Sequence, residues 1–187
     1  MLFRSLLISE IPVGIEPVSV NARNSDEIWV VNEVSDSVSV VSVSNRMVMA
    51  TLAVKDEPAD VVFASGSAFV SKARNNQIAV FNVTNLALIS NMAVFGENPR
   101  SLAVNANGTR VYAAFALSGN RTTILSRDFA PTNQTPVIDP PLRAGLPPAP
   151  QAGRIIDAID PAWSSIIQFT MADNDIVEIN VNNRSIV

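Results

Sequence analysis

Three segments of this sequence start around a proline at a constant spacing: EPVSVN at 16–21, EPADVV at 57–62 and NPRSLA at 98–103. Pro17, Pro58 and Pro99 follow one another at intervals of 41 residues. A period of about 20 to 50 residues is the signature of a chain built from repeated structural units. We therefore take each proline as the start of one unit.

The first unit contains four strand-like stretches, at 18–21, 28–33, 37–43 and 47–54. The third stretch, SVSVVSV, alternates serine with valine, as a half-buried strand requires. Breaks rich in Asn, Asp and Ser separate the stretches and are typical of turns. Because each break is short, successive strands are expected to pair antiparallel in chain order.

The same plan recurs along the rest of the chain. In the third unit it predicts strands at 101–105, 110–116 and 122–125, and in a fourth unit strands at 155–159, 166–171, 176–181 and 184–187. Seven of the twelve prolines fall in 131–150, which is expected to be an extended insertion because proline cannot donate to a sheet ladder. The expected segments are an outer strand at 3–13, blade units at 17–57, 58–98, 99–130 and 151–187, and the insertion at 131–150.

Four short antiparallel strands in about 41 residues make the blade of a β-propeller. The sequence thus predicts an all-β fold of about four blade units in a single propeller segment. Two arrangements remain open. The segment is part of a larger ring, which we favour, or the strand at 3–13 completes the last blade and closes a four-bladed ring.

The repeat resembles the YVTN-type propeller family. That family's repeat has a Gly-x-x-Pro start, an Asn/Asp-Gly turn and a Tyr-Val-Thr-Asn strand. Gly14-Ile-Glu-Pro17 and Gly96-Glu-Asn-Pro99 match the start, Asn107-Gly108 matches the turn, and Trp29-Val-Val-Asn32 is similar to the naming strand. The second unit departs from the pattern because Lys55 stands where the glycine is expected. The resemblance implies a ring of about seven blades in an extracellular, periplasmic or cell-surface protein.

The composition excludes several kinds of chemistry. The chain has no cysteine and no histidine, so its residues cannot build a disulfide, a thiolate or histidine metal site, or a Ser-His-Asp triad. The net charge of −4 argues against nucleic acid as a partner. No apolar stretch is long enough to span a bilayer, and 1–8 does not read as a clear signal peptide.

The candidate metal ligands are Asp173, Asp175 and Glu178, because alternating oxygen side chains in a tight turn can hold Ca²⁺. We favour a simple turn, since the glycine and the spacing of a calcium loop are missing. Five arginines in loops would form an anion site only if they converged: Arg23, Arg74, Arg100, Arg110 and Arg121. Aromatic residues recur on second strands, where packing between blades is the favoured role: Trp29, Phe69, Tyr112 and Phe169.

The functional hypothesis is a non-catalytic binding or scaffold module, without a cofactor, that contacts a protein or small ligand at the propeller face or rim. Self-association through open blade edges is expected if the chain is a fragment. The alternative is part of a propeller enzyme, lactonase-like or cofactor-binding, with a carboxylate or metal site in the central channel. Convergence near the axis of acids from different blades would favour the enzyme, whether Asp26, Asp60, Asp157 and Asp160 or other acids, and dispersion would favour the scaffold.

Overall fold

The computed structural model describes residues 6–119, 121–126, 141–147, 153–169, 171 and 173–187. Its described residues fall into two compact units, one within 1–118 and 174–187 and the other within 119–173. The strands are β1 Pro17–Ala22, β2 Glu27–Asn32, β3 Ser37–Ser42, β4 Met47–Ala53, β5 Pro58–Ala64, β6 Ser67–Lys72, β7 Gln77–Asn82, β8 Leu88–Ala93, β9 Glu97–Val104, β10 Arg110–Leu117, β11 Thr122–Leu125, β12 Arg154–Asp157, β13 Ile176–Asn180 and β14 Ser185–Ile186.

The first unit contains three four-stranded antiparallel sheets within the described residues. Their strand orders are β1-β2-β3-β4, β5-β6-β7-β8 and β9-β10-β13-β14. Strands β1, β5 and β9 are neighbours, so the first strand of each sheet lies beside the first strand of the next. The all-β fold class with four-stranded antiparallel sheets is confirmed. We call the sheets blade 1, blade 2 and blade 3.

Two apolar layers hold the blades together. Between blades 1 and 2, Trp29 of β2 is fully buried and meets Phe63 of β5 edge to face, with ring centroids 5.4 Å apart. Between blades 2 and 3, the buried Phe69 of β6 packs in a cluster with Ile179 of β13. Both faces of blade 2 are therefore covered, which explains why every residue of β6 is buried.

The strand assignment of the third and fourth units differs from the sequence expectation. Strand 122–125 does not join blade 3 but pairs with β12, and blade 3 is completed by β13 and β14. The physical reason is burial: Val177 and Ile179 alternate along β13 and fill the core at 7% and 0% exposure, whereas Thr122 is exposed. Residues 119–173 are thus inserted between two adjacent strands of one blade.

The inserted unit has its own small core of Leu125, Ile156, Trp163 and Ile167. A 3₁₀ helix at Pro161–Trp163 is capped by Asp160, whose carboxylate accepts from the Ala162 N–H. The expected strand at 166–171 is not seen in residues 166–169 and 171, which are the part described: the chain continues from the 3₁₀ helix into a turn, and the N–H groups of Ile166 and Ile167 both donate to the Trp163 carbonyl.

Two further expectations concern segments that are only partly described. Residues 6–13 are not in a strand, and 1–5 lie outside the described residues, so the outer strand at 3–13 is not seen in the part described. Of the insertion at 131–150, the structure describes 141–147, which contain a turn and are exposed.

The glycines of the Gly-x-x-Pro starts have a packing role. A Cβ on Gly14 would lie 2.7 Å from Cγ of Asn32, and a Cβ on Gly96 would overlap the ring of Phe115. Asn32 and Phe115 lie near the ends of second strands, so each glycine lets the chain cross closely over its own blade. In the second unit Lys55 takes this position with a φ of 64°.

Candidate functional site

The residues that follow each unit proline line a common cavity of about 370 Å³. They are the pairs Val18-Ser19, Ala59-Asp60 and Arg100-Ser101 from β1, β5 and β9. Each pair is separated from the next by the 41-residue period of the sequence. The repeat therefore brings equivalent positions of three blades to one place.

Asp60 is the centre of a hydrogen-bond network that joins all three blades. Its Oδ1 accepts from Ser19 Oγ at 2.6 Å, from Asn21 Nδ2 at 3.1 Å and from the Val61 N–H at 2.8 Å. Its Oδ2 accepts from the Leu102 N–H of blade 3 at 2.8 Å. The carboxylate thus receives four donors, which is close to its full capacity.

Ser71 ties the same network to the neighbouring strand. Its hydroxyl donates to the Arg100 carbonyl at 3.0 Å and accepts from the Asp60 N–H at 2.9 Å. Ser71 is fully buried, so this link is shielded from water. The backbones of β5 and β9 are consequently held together just where they border the cavity.

Arg100 is held in one orientation by two partners. Its Nε donates to Asn98 Oδ1 at 2.9 Å, and its Nη1 donates to Glu33 Oε1 at 2.7 Å. Glu33 follows β2 of blade 1, so the ion pair spans from blade 1 to blade 3. The Glu33 side chain is 16% exposed and the Arg100 side chain 40%, so the pair is partly buried on the carboxylate side.

A second cavity, of about 670 Å³, is lined by charged residues at the strand ends. Glu33 borders it, so the Glu33–Arg100 pair joins the two cavities. Asp56 accepts from the buried Lys72 at 2.8 Å, and this hydrogen bond is the main reason that the pKa of Asp56 is lowered. Glu57 lies 3.7 Å from Arg74. The lining residues are Glu16, Glu33, Val34, Asp36, Lys55, Asp56, Glu57 and Arg74.

Of the four acids named as markers of an enzyme, Asp26 and Asp60 lie in the first unit and border different cavities. Other acids from the ends of strands in blades 1 and 2 do come together, because Glu16, Glu33, Asp36, Asp56 and Glu57 all line the second cavity. Asp26 accepts from the Ser44 N–H at 2.6 Å in the turn before β2, and this hydrogen bond is the main cause of its lowered pKa. In the inserted unit, Asp157 accepts from the Ile159 N–H at 3.1 Å and Asp160 caps the 3₁₀ helix.

The three candidate metal ligands have other partners. Asp173, in the inserted unit, lies 3.3 Å from Arg121, and Glu178 of β13 pairs with Arg110 at 2.7 Å. Asp175 accepts from the Ser118 hydroxyl. Within the part of the chain that is described, no group of three or more acidic side chains is placed to hold a metal ion. The calcium hypothesis and the turn hypothesis both stay predictions.

The five arginines expected in loops each engage a different carboxylate, but Arg100 lies in β9 and Arg110 begins β10, so the loop assignment is wrong for these two. The pairs are Arg23 with Glu27, Arg74 with Glu57, Arg100 with Glu33, Arg110 with Glu178 and Arg121 with Asp173. Of these arginines, Arg100 lines the cavity of about 370 Å³. Among the recurring aromatic residues, Trp29 and Phe69 are buried between blades, whereas Phe169 is 60% exposed.

Sequence reasoning did not single out Ser19, Asn21 or Glu33. For Ser19 a signal was present, because Ser19, Asp60 and Ser101 occupy the same position of three successive units. For Glu33 no such signal exists, since its pair with Arg100 joins different positions of the repeat.

Stacked four-stranded antiparallel sheets, whose first strands line a shared cavity, define a β-propeller protein. Comparison with protein families agrees: the model of the family described as "Lactonase, 7-bladed beta-propeller" matches residues 19–137, and the chain belongs to this family. No curated protein matches the sequence.

Several solved structures are similar to this chain. Hydrazine synthase of Kuenenia stuttgartiensis is 21% identical, with a TM-score of 0.48 over 53% of this chain and 29% of that chain. A protein of unknown function from Bacteroides caccae is 14% identical, with a TM-score of 0.46 over 51% of this chain and 36% of that chain. AztD of Citrobacter koseri is 17% identical, with a TM-score of 0.42 over 47% and 26%. The alignments thus cover about a quarter to a third of the length of these structures.

The described residues include no helix with the length and apolar character needed to cross a membrane.

Proposed function

We propose that this chain is a non-catalytic binding module of a propeller protein, with its ligand contacts at the cavity lined by β1, β5 and β9. One observation carries the proposal: the carboxylate of Asp60 is already occupied by four donors. A general base must reach a substrate proton directly or through one water, which an occupied carboxylate is poorly placed to do. The network instead suits a rigid wall that orients a ligand.

The YVTN type of repeat is part of this proposal. It is supported by Gly14, which packs on Asn32 at the end of β2, and by Gly96, which packs on Phe115 near the end of β10. From the same resemblance we infer an extracellular, periplasmic or cell-surface location. The location is tested by adding a protease to intact cells and to lysed cells. Cleavage in intact cells would support an extracellular or cell-surface location, and release by permeabilising the outer envelope alone would support a periplasmic one. Cleavage only after complete lysis would contradict the inference.

The proposed absence of catalysis is tested with purified protein and simple lactones, such as glucono-δ-lactone and γ-butyrolactone, with acid release followed at constant pH. We expect the same rate with and without the protein. The matched variants Asp60→Asn and Asp26→Asn should also give the buffer rate. Turnover that Asp60→Asn abolishes and Asp26→Asn preserves would overturn the proposal.

The alternative function is a lactonase-like enzyme, and the description of the matching family favours it. Such an enzyme would use Asp60 and Arg100 at the 370 Å³ cavity, with Glu33 beside Arg100 at the second cavity, with or without a divalent metal. The same assay repeated with added Ca²⁺ or Mg²⁺ and with a chelator separates the two functions. A rate that rises with metal and falls with the chelator would favour the enzyme.

A further inference from the structure

We propose that the 370 Å³ cavity binds a small organic anion through a carboxylate group, with Arg100 as its principal contact. This inference rests on the proposed binding function and names the class of ligand for that site. It follows from the hydrogen-bonding groups that border the cavity, their orientation and their charge.

The groups left for a ligand at this cavity are mainly donors. Arg100 uses Nε and Nη1 for Asn98 and Glu33, and among the described residues no protein acceptor is bonded to its Nη2 group. Ser101, exposed on the same strand, adds a hydroxyl to the cavity lining. The acceptor positions on Asp60 are occupied. A ligand that presents acceptor oxygens therefore fits better than one that presents donors.

The guanidinium is prepared for such a ligand before it binds. Asn98 and Glu33 fix its plane, so little side-chain entropy remains to be lost when a further acceptor arrives. A carboxylate matches the fork of N–H donors on an arginine and forms short, charge-assisted hydrogen bonds with it. A neutral carbonyl oxygen can accept from the same edge, but without the charge.

The surrounding carboxylates limit the affinity without preventing binding. The charge of Asp60 is met by two peptide N–H groups and two side-chain donors, and Glu33 is paired with Arg100 itself. At the second cavity, Asp56 is paired with Lys72 and Glu57 lies near Arg74. We expect a dissociation constant of about 1 mM, which corresponds to a weak, single-contact site. The volume suits a short ligand, at the low end of about 300 to 1,000 Å³ for small-molecule sites.

The test is a titration of the ¹⁵N-labelled full chain followed by amide NMR at constant ionic strength. The probes are succinate and its uncharged analogue dimethyl succinate. We expect succinate to give saturable shifts of the Ser101 and Leu102 amides, and the diester to bind at least tenfold more weakly. Equal binding of both probes, or shifts spread evenly over the surface, would overturn the inference.

Variants make the assignment specific. Arg100→Gln should weaken succinate binding at least tenfold, whereas the control Arg110→Gln should leave it unchanged, because Arg110 pairs with Glu178 on β13 and does not line the cavity. Glu33→Gln keeps an acceptor oxygen for Nη1 but removes the negative charge that partly neutralises Arg100, so it should tighten succinate binding several-fold. A Glu33→Gln variant that binds succinate no better than the wild type refutes the inference even if Arg100→Gln does not fold. Lactone turnover would instead contradict the proposed function, so the two failures are distinguishable.

Discussion

Replacement of Asp60 tests whether its network holds the three blades together. In Asp60→Ala, the peptide N–H groups of Val61 and Leu102 lose their acceptor, and these residues are 0% and 9% exposed. An unpaired buried donor costs about 1–3 kcal/mol, so the two together predict a loss of about 4 kcal/mol in the free energy of unfolding. The half-buried Ser19 and Asn21 regain water and contribute less.

Asp60→Asn is the graded version of the same change. An amide keeps one acceptor oxygen for the donors at Oδ1, but its NH₂ group then faces the Leu102 N–H, which predicts a loss of about 2 kcal/mol. Urea unfolding gives the free energy, and hydrogen exchange at the Leu102 amide reports the broken bond directly. Asp26→Asn, in a turn of blade 1, is the control for the exchange measurement, because it also removes a hydrogen-bonded carboxylate but leaves the acceptor of the Leu102 N–H in place. A loss below about 1 kcal/mol in Asp60→Ala would refute the reasoning.

Three further changes are predicted to alter stability. Lys55→Gly should stabilise the fold by about 1 kcal/mol, because Lys55 has a φ of 64°, whereas Lys55→Ala should not; thermal unfolding compares the two. Trp29→Phe should cost about 2 kcal/mol in urea unfolding, since it removes the 2.7 Å hydrogen bond from Nε1 to Glu27 and leaves a void between blades. Acid should destabilise the protein as the pH falls below about 4, because the pKa values of Asp26 and Asp56 are lowered in the folded state, so their stabilisation is present above the unfolded pKa and lost on protonation. Asp26→Asn should flatten that dependence in unfolding curves measured between about pH 6 and pH 2.5.

The outcomes that would contradict these three are specific. Equal effects of Lys55→Gly and Lys55→Ala would mean that the left-handed backbone is not the source of strain. An unchanged Trp29→Phe variant would mean that the layer between blades 1 and 2 repacks freely. Identical acid unfolding curves for Asp26→Asn and the wild type would mean that Asp26 does not contribute to the acid sensitivity of the fold.

The regular part of the fold could be predicted from the sequence because each blade repeats a local pattern. Pro17 and Pro58 begin the first strands of blades 1 and 2, and Pro99 lies two residues after the start of the first strand of blade 3. The short turns bring successive strands side by side, so they pair with each other. The third blade could not be predicted in this way. Both 122–125 and 176–180 read as strands, and only the burial of Val177 and Ile179 against blade 2 decides which of them pairs with β10.

The cavity of about 370 Å³ could be predicted in part, because it too depends on the repeat. Residues at equivalent positions of the repeat meet, so the periodicity places Ser19, Asp60 and Ser101 together. The Glu33–Arg100 pair depends on how far successive blades rotate about the axis, which no local pattern encodes. The same holds for the arginines, since proximity to a carboxylate on another strand is a property of the folded chain.

The insertion inside blade 3 also bears on the order in which the chain folds. Strand β7 follows β6 after residues 73–76, whereas β13 follows β10 only after residues 118–175. That difference is about four doublings of loop length, and closing the longer loop costs about 2 kcal/mol more in chain entropy. We expect blades 1 and 2 to assemble early, while one edge of β10 stays unpaired until β13 has been made. Synthesis on the ribosome would therefore pass through a stage in which two blades are finished and the third offers an open edge to chaperones or to neighbouring chains.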